Sequence, residues 1–411
     1  MPQDSQKIEI GCNNSPKMLE VQPARGREGL RDCSTLRWFL EITPGRLLLF
    51  KSAEVNGRSS PLHMAMLRPQ HSTIDYVNQV HTGEKMLRWA RDLFPFPRSL
   101  TGRGVRQTLD YLVKLNPELR IRSARSRERA FDWEVPLEWN ITGGFLQHLA
   151  TGARYADFSE SNLHVVGYSE PVDQVMPLDD LKPKIFTQPD QPDFVPYVTS
   201  YYRRSWGFCM SEREKAKLPE GDYRVFIDSN LFVGEMLFAD AVIPGETEQE
   251  IFFSSYICHP SMANNELSGP VLISALMQHI KDCYQRTRYS YRFVLVPETI
   301  GSLVYLDKNL RELKSRVTCG FNLSCVGDDR SYSHVESRLG KTLADKALEA
   351  AFIGLPNTRR YLFLERGSDE RQYCAPGIDL PVAGFCRTKY GEFPEYHTSA
   401  DNFDVVTACG L

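Results

Sequence analysis

Three stretches in the second half of the chain place apolar residues at the three- and four-residue spacing of amphipathic helices. They run from Leu267 to Ile280, from Ser302 to Leu313 and from Leu343 to Phe352. Between and around them lie short runs rich in β-branched and aromatic residues, namely EIFFSSYIC, YRFVLVP, VTCGFNLSCV and LPVAGFC. Alternation of such strands with helices predicts an α/β fold, a three-layer sandwich with a mixed, largely parallel central sheet.

The residues before position 120 divide into two parts. From His81 onward, GEKMLRWARDLF and RGVRQTLDYLVKL show helical spacing on either side of a break with two prolines. Residues 1–72 show no sustained period and are rich in Arg, Ser and Pro, apart from TLRWFLEITPGRLLLF, which predicts a hairpin or a helix. We expect residues 1–72 to form a peripheral or poorly ordered extension.

Residues 120–245 have the character of short, aromatic, turn-bounded strands. RAFDWEVPLEWNITGG and SNLHVVGYSEPV are of this type. DYRVFIDSNLFVGEMLFADAVIPG predicts a hairpin, because Tyr223, Val225 and Ile227 alternate with polar neighbours. The predicted organisation is therefore an α/β domain built from residues 73–119 and 246–411, with a small β-rich inserted domain at 120–245.

Composition narrows the classes of partner. The formal net charge of the 411-residue chain is -3, so bulk electrostatics favour neither nucleic acid nor a membrane surface. No apolar run is long enough to cross a bilayer, and MPQDSQKIEIGCNNSPK lacks the apolar region of a signal peptide. The 10 cysteines contain no CxxC pair, which fits reduced thiols. We expect a cytoplasmic protein without nucleic-acid or membrane partners, and a homo-oligomer stays open.

Polar residues follow the ends of the predicted strands. His259, Glu298, Ser324 and Asp328 all occupy such positions, where the ligands of parallel sheets collect. An isolated His259 would most often be a core residue bonded to a backbone carbonyl, but it is followed by the three polar residues Asn-Asn-Glu, of which helix capping explains one. A neutral imidazole is a common zinc ligand. Glu298 is either exposed at the sheet edge or held in a site as a general base.

Three other polar stretches offer candidates that could equally be solvated surface. GSDERQYC contains Asp369 and Glu370, and KYGEFPEYHTSADNFD contains His397. The aromatic and basic run YYRRSW, with Tyr202 and Arg204, fits a pocket wall or the face of a β-rich domain.

The order of these motifs resembles that of zinc-dependent aminopeptidases with the phosphorylase/hydrolase-like fold. The series runs through His259, NNELSG, PETIG, FNLSCVG, GSDE and YHTSAD. More closely, LFPFPRSLTGRGVRQTL, PYVTSYYRRSWGFC, YICHPSMANNELSGP and RGSDERQYCAPGIDLPV are similar to aminopeptidase-like proteins of bacterial polysaccharide and specialised-metabolite gene clusters. This similarity spans residues 81–405.

The resemblance implies a zinc site, and the sequence departs from the family pattern within it. Three of the five ligand positions of a two-zinc site are neutral here, namely Asn265, Thr299 and Ser324. We therefore expect one zinc per chain, because neutral amide and hydroxyl groups are poor donors for a tightly bound zinc ion. The expected ligands are His259, His397 and a carboxylate, for which Glu266 is favoured over Asp369.

The resemblance further implies that Glu298 is the general base of a metal-dependent amide or peptide hydrolase. We expect Asn265, Asp369, Glu370, Tyr202 and Arg204 to bind a small-molecule or short peptide-like substrate, of an aminoacyl or amino-sugar type, in a biosynthetic pathway. Two alternatives stay open. One is a transferase or lyase on the same fold, and the other is an inactive binding module that kept the surrounding residues and lost the metal.

Residues 1–72 are expected to be dispensable for folding of the α/β domain, because their sequence lacks any sustained period. A chain beginning at Thr73 should keep the melting temperature of the full chain, measured by circular dichroism. A drop of many degrees would contradict the prediction and show that the extension belongs to the folded core.

Overall fold

The computed structural model describes residues 36–43, 46–53, 76–284 and 286–411. The chain separates into two units, Met1–Met66 and Leu67–Leu411. In the first unit, strands β1 (Leu36–Thr43) and β2 (Arg46–Ala53) pair antiparallel, as expected from the hairpin reading of TLRWFLEITPGRLLLF. The rest of the predicted extension at 1–72 lies outside the described residues.

The second unit alternates helices and strands. Its helices are α1 (Tyr76–Leu93), α2 (Arg103–Leu115), α3 (Leu178–Leu181), α4 (Glu212–Lys215), α5 (Ser268–Cys283), α6 (Ile300–Arg316), α7 (Leu343–Ala351) and α8 (Glu370–Tyr373). Its strands are β3 (Arg120–Arg125), β4 (Arg129–Ala130), β5 (Trp133–Glu134), β6 (Glu138–His148), β7 (Arg154–Tyr155), β8 (Val172–Pro177), β9 (Ile185–Phe186), β10 (Phe208–Cys209), β11 (Asp222–Phe232), β12 (Glu235–Ile243), β13 (Glu250–Tyr256), β14 (Ser290–Val296), β15 (Val317–Leu323), β16 (Tyr332–Val335), β17 (Thr358–Tyr361) and β18 (Val382–Cys386). Among the described helices, none combines the length and the apolar character needed to cross a bilayer.

Eight strands form the central sheet, in the order β17-β16-β18-β15-β13-β14-β12-β3. The inner pairs β13–β14, β13–β15 and β15–β18 are parallel, whereas β12 runs antiparallel to both β14 and β3. The predicted mixed, largely parallel sheet is therefore confirmed. Its inner strands read as apolar runs because both of their faces are covered.

Helices cover the sheet on both sides. Phe293 and Leu295 of β14 pack with residues of α1, α2 and α5, whereas Val294 and Val296 pack with residues of α6. This alternation follows from the two-residue repeat of a strand, which points successive side chains to opposite faces. The arrangement is the expected three-layer sandwich, and α5, α6 and α7 match the three helical stretches of the sequence.

The strands of the predicted β-rich region, residues 120–245, are divided between the central sheet and smaller sheets. Strands β3 and β12 belong to the central sheet, so the inserted strands lie within residues 126–234. They form the four-stranded antiparallel sheet β7-β6-β11-β8 and two small pairs, β4-β5 and β9-β10. One hydrophobic core contains both Val225 of β11 and Val294 of β14, so the insertion packs directly on the α/β framework.

The predicted hairpin in residues 222–243 is wrong. Strand β11 pairs with β6 and β8, whereas β12 pairs with β14 and β3, so the two consecutive strands belong to different sheets. Burial explains the separation. Strand β11 alternates between buried and more accessible residues, as in a sheet covered on one face, but β12 is buried continuously from Met236 to Ala241, as in a sheet covered on both.

Candidate functional site

The site is built on the carboxyl ends of the parallel strands. Strand β13 ends at Tyr256, and His259 follows three residues later. Strand β14 ends at Val296 and is followed by Glu298. These strands are adjacent, so their carboxyl ends bring the two side chains together, with His259 Nε2 3.7 Å from a carboxylate oxygen of Glu298.

Both nitrogens of the His259 ring face carboxylates. On the far side from Glu298, Nδ1 lies 2.9 Å from Glu266 Oε2 in a buried hydrogen bond. The side chain of His259 is 7% exposed and that of Glu266 is 0% exposed. Burial opposes the charged form of His259, but the acidic groups around it, among them Cys258, Tyr197 and Glu266, raise its pKa well above the ordinary value.

Glu266 reaches His259 from an unusual turn. Residues Ala263–Leu267 form a π-helical turn in front of α5. The Asp401 carboxylate fixes this turn by accepting the backbone N–H groups of Asn264 (2.6 Å) and Asn265 (2.9 Å). Such turns are rare and are frequent at functional sites. The turn explains the Asn-Asn-Glu run, since its backbone is capped by a distant residue and its side chains are turned to other elements, with Asn264 Nδ2 donating to Asp328 at 3.1 Å and Glu266 at 2.9 Å from His259.

The start of α5 also demands a residue without a side chain. A Cβ atom at Gly269 would collide with Ser255 of β13 and with the carbonyl oxygen of Leu323 at the end of β15. Glycine therefore lets the helix approach the two strands closely. This contact holds the π-helical turn, and with it Glu266, against the strand ends.

Glu298 precedes a strained turn. Thr299 has φ 64° and ψ -75°, and the N–H of Ile300 donates to the carbonyl oxygen of Glu298 at 2.8 Å. This is a γ-turn of the rare form, which is unfavourable for a β-branched residue. Burial raises the pKa of Glu298, and the charges of Glu266 and Glu370 add to this effect, while His259 opposes it. With 24% of its side chain exposed, Glu298 is the accessible carboxylate at His259.

Asp369 holds the strained turn in place. One of its oxygens accepts the Thr299 N–H at 2.8 Å and the Ser302 hydroxyl at 3.0 Å. The other oxygen, Oδ2, is buried and has no hydrogen-bond partner within residues 76–284 and 286–411. The pKa of Asp369 lies well above its ordinary value, first because of burial and then because of repulsion from Glu298 and Glu370.

Glu370 lies beside this acidic pair and is fully buried. It accepts a hydrogen bond from Asn322 Nδ2 at 2.8 Å and another from the Tyr390 hydroxyl. The predicted substrate-binding residues Asp369 and Glu370 therefore lie near Glu298, and part of their hydrogen-bonding capacity is already used by the protein.

His397 comes from the loop after β18 and approaches His259 from a third direction. The centres of the two imidazole rings are 5.5 Å apart. His397 Nε2 is buried and has no hydrogen-bond partner in the part of the chain that the structure describes. Burial, reinforced by the charge of His259, lowers the pKa of His397 to about 3, so its ring is neutral. A buried neutral imidazole with a free nitrogen is suited to bind a cation.

The inserted region packs against both histidines. Pro196 forms a β-bridge with Thr398, and the Tyr197 N–H donates to the carbonyl oxygen of His397 at 2.8 Å. The ring of Tyr197 lies 5.1 Å from that of His259 and 5.2 Å from that of His397. The insertion therefore contributes directly to the surroundings of the site.

The three neutral residues at the family's ligand positions make contacts of their own. Asn265 donates through Nδ2 to the Tyr256 hydroxyl at 2.8 Å, and its Oδ1 is buried without a partner. Ser324 Oγ lies 3.7 Å from Cys386 Sγ, and Thr299 occupies the γ-turn. None of these groups supplies an anionic oxygen, so the site has a smaller negative charge than a two-zinc site requires.

Tyr202 and Arg204 lie apart from the buried cluster. Tyr202 is exposed and packs against Tyr201 and Trp133, with ring centres 4.2 and 5.7 Å away. Arg204 forms an exposed ion pair with Glu170 at 3.0 Å. Their role in substrate binding stays a prediction, and Tyr197, a few residues earlier, is the member of this aromatic segment that contacts the histidines.

Sequence analysis did not identify two residues that contribute to the site, Arg98 and Tyr197. Arg98 is buried and donates through Nε to the carbonyl oxygen of His259 at 2.9 Å, with Glu266 Oε1 3.7 Å away. Its signal was a single arginine inside FPFPRSL, a loop otherwise apolar enough to be buried. The signal for Tyr197 was weaker, because aromatic residues are common throughout that segment.

The donors allow two positions for a metal. Within the described residues, the group of three donors whose atoms all lie within 4.8 Å of one another is Cys258, His259 and Glu266, on the Nδ1 side of the ring. Burial raises the pKa of the Cys258 thiol to about 11, and the guanidinium of Arg98 borders Glu266. A neighbouring cation disfavours a metal at that position.

The Nε2 side offers the better chemistry. There His259 Nε2 faces Glu298, and the His397 ring, whose Nε2 has no hydrogen-bond partner among the described residues, has its centre 5.5 Å from that of His259. Imidazoles are donors that zinc accepts. A histidine that binds a metal through one nitrogen usually donates from the other to a carboxylate, which is the relation of His259 to Glu266.

Comparison with known protein families identifies the family of this chain. A family model described as a domain of unknown function, DUF4910, matches residues 87–411. The chain belongs to this family. A Clostridium acetobutylicum relative, named a candidate polysaccharide biosynthesis protein with an aminopeptidase-like domain, is 41% identical over 336 residues, covering 81% of this chain and 76% of the relative. The predicted resemblance to such aminopeptidase-like proteins is thereby confirmed.

Solved structures agree on the fold of this DUF4910 member. A crystal structure of a candidate peptidase from Clostridium acetobutylicum has a TM-score of 0.78 and 40% identity, covering 81% of this chain and 78% of its own. A zinc aminopeptidase from Bacillus subtilis gives a TM-score of 0.57 at 12% identity, covering 80% and 91%. A peptidase M28 precursor from Shewanella amazonensis gives 0.54 at 13%, covering 81% and 93%. The last two likenesses concern the fold alone.

Asp369 is expected to stabilise the turn after Glu298 through its acceptor oxygen and not through its charge. Asp369→Ala should lower the free energy of unfolding by about 1–3 kcal/mol, because it leaves the buried Thr299 N–H without a partner. Asp369→Asn keeps an acceptor and removes a charge that burial disfavours, so its loss should be much smaller. Urea denaturation of both variants measures the difference, and equal losses would contradict the prediction.

Proposed function

We propose that this protein is a zinc-dependent hydrolase of amide bonds with one zinc ion per chain. The observation that carries the proposal is the opposite placement of two carboxylates on His259, with Glu266 at Nδ1 and the more accessible Glu298 at Nε2. This places an orienting carboxylate behind the imidazole and a reactive carboxylate in front of it. The free nitrogen of His397 supplies a second neutral donor in the same region.

In this proposal His259 and His397 hold the zinc. The zinc, when bound, would polarise the scissile carbonyl and make a water molecule easier to deprotonate. The geometry favours a division of roles between the two carboxylates at His259. Glu266 orients the imidazole, and it could act as a ligand, as the sequence suggested, only by giving up its hydrogen bond to Nδ1.

Glu298 is the proposed general base. Its pKa is raised by burial, which moves the carboxyl group toward the range in which it can both accept and return a proton near neutral pH. The γ-turn and Asp369 fix its backbone, so little reorganisation accompanies proton transfer. Glu298 would take the proton of the attacking water and deliver it to the leaving amine.

The proposed substrate is small and carries an amino group. Asp369 and Glu370 place buried carboxyl groups beside Glu298, which suits a substrate ammonium, and Asp369 Oδ2 lacks a hydrogen-bond partner among the described residues. Tyr197 and the loop of His397 limit the space in front of His259. The name of the Clostridium acetobutylicum relative supports an aminoacyl or amino-sugar substrate in polysaccharide biosynthesis.

A binding module without catalytic activity is the second candidate. The observation that favours it is the replacement of three anionic ligand positions by Asn265, Thr299 and Ser324. The Asn265 amide group is already bonded to Tyr256. In this case the acidic side chains of Glu298, Asp369 and Glu370 would still bind an amine-bearing ligand, but purified protein would contain no metal.

Metal analysis distinguishes the two candidates. Purified protein should contain about one zinc per chain, measured by inductively coupled plasma mass spectrometry after exchange into metal-depleted buffer. His259→Ala and His397→Ala should each abolish the bound zinc, because each removes one of two imidazole donors. Two equivalents would mean that other carboxylates rebuild the second site, and a metal-free protein would favour the binding module.

Glu298→Gln should retain zinc and the fold but lower kcat by about 10²–10⁴-fold, because an amide cannot accept the proton of water. Turnover of a panel of aminoacyl anilides provides the measurement. The matched control is Glu395→Gln. Glu395 lies in the same loop as His397, and its carboxylate pairs with Arg330 at the surface, so this variant should keep the kcat of the unmodified protein. Unimpaired turnover in Glu298→Gln would move the role of general base to another residue.

A further inference from the structure

Arg98 is a charged residue of the core that the proposed reaction does not use. Its residue exposure is 1%, and it lies in the loop between α1 and α2. Besides its bond to the carbonyl oxygen of His259, it donates through Nη1 to the carbonyl oxygen of Leu93 at the end of α1. Its Nη2 is buried without a partner. A fully buried guanidinium is expensive unless a nearby anion compensates for its charge.

Glu266 is that anion. Its Oε1 lies 3.7 Å from Arg98 Nε, and both side chains are 0% exposed. A guanidinium stays protonated near neutral pH. Glu266 Oε1 has no hydrogen-bond partner in the described protein, so its compensation comes through this ion pair. The two charges therefore depend on each other.

The pair extends to His259. Beside the Arg98 guanidinium, the Glu266 carboxylate is placed as the acceptor of the 2.9 Å contact and His259 Nδ1 as its donor. The backbone of His259 is held by the same guanidinium at 2.9 Å. Arg98 thus contacts the main chain of His259 directly and its side chain through Glu266. Both contacts aim Nε2 toward Glu298.

We propose that Arg98 is a positioning residue of the site, which acts through Glu266 to keep His259 Nδ1 protonated and Nε2 directed at the metal position. The inference rests on the proposed zinc function and adds that Arg98 orients the His259 ring. Residues that orient a metal-binding histidine from the outer shell typically change metal affinity by about 10–100-fold when they are replaced.

The first experiment measures zinc affinity of the full chain by competition with a chromophoric chelator. Arg98→Met should raise the Kd for zinc by about 10–100-fold, and Arg98→Lys, which keeps the charge, should raise it less. In a Glu266→Gln background, Arg98→Met should add less than about 2-fold, because a residue that acts through Glu266 loses its effect with it. Unchanged affinity in Arg98→Met, or full additivity with Glu266→Gln, would overturn the proposal.

A matched control separates positioning from stability. Arg292 is also buried in a carboxylate pair, with Glu250 at 2.6 and 2.9 Å, at the opposite end of β13 and β14. Arg292→Met should lower the melting temperature but leave the Kd for zinc unchanged. Tighter zinc binding in Arg98→Met would also overturn the proposal. It would mean that the Arg98 guanidinium repels the zinc ion, and hence that the metal lies beside Glu266 and Cys258.

A second experiment does not depend on zinc. In metal-free protein, proton NMR should show a downfield resonance from the hydrogen-bonded His259 Nδ1–H, assigned by its loss in His259→Gln. The resonance should weaken or vanish in Arg98→Met and persist in Arg292→Met. If the wild-type protein binds no zinc, the proposed function fails, and the Nδ1–H resonance alone tests the positioning role of Arg98. Loss of the resonance in Arg98→Met supports that role, and an unchanged resonance overturns it.

Discussion

The hydrogen bond between Glu266 and His259 is the interaction on which the rest of the site depends. It joins the loop after β13 to the π-helical turn before α5, and it determines which nitrogen of the imidazole is free. Neither partner is stable there alone, because a buried carboxylate and a buried imidazole each require a partner. Arg98 supplies the charge that balances the pair, and Asp401 fixes the turn from which Glu266 projects.

A second constraint is the concentration of acidic groups at one end of the sheet. Glu298, Asp369 and Glu370 repel one another in a region that burial has already made unfavourable for negative charge. The protein accommodates them with backbone and hydroxyl donors and accepts a strained γ-turn at Thr299. Strain and repulsion of this kind persist only where the surrounding structure is rigid, and they are characteristic of functional sites.

The inserted strands take part in the site as well as in the fold. They share a hydrophobic core with the central sheet, and their segment at Pro196 and Tyr197 pairs with the loop that carries His397. Pairing with the insertion fixes the His397 backbone in its left-handed conformation, at φ 57°, and brings an aromatic ring against both imidazoles.

The sequence by itself determined the framework and the positions of the main polar residues. Helical spacing located α5, α6 and α7, and apolar runs located the parallel strands, because both periods depend on local packing of successive residues. The rule that ligands gather at strand ends selected His259 and Glu298. Motif order then selected His397 and the family, and the family model and the Clostridium acetobutylicum relative agree with that choice of family.

Only the tertiary structure decided which of these residues touch. The contact of Arg98 with His259 spans 161 positions and that of Asp401 with Asn264 spans 137, and no local pattern encodes such pairs. The division of β11 and β12 between two sheets depended on which faces become covered, which alternation alone does not specify. The side of His259 that Glu266 occupies depended on a π-helical turn, since one extra residue in a turn changes where every following side chain points.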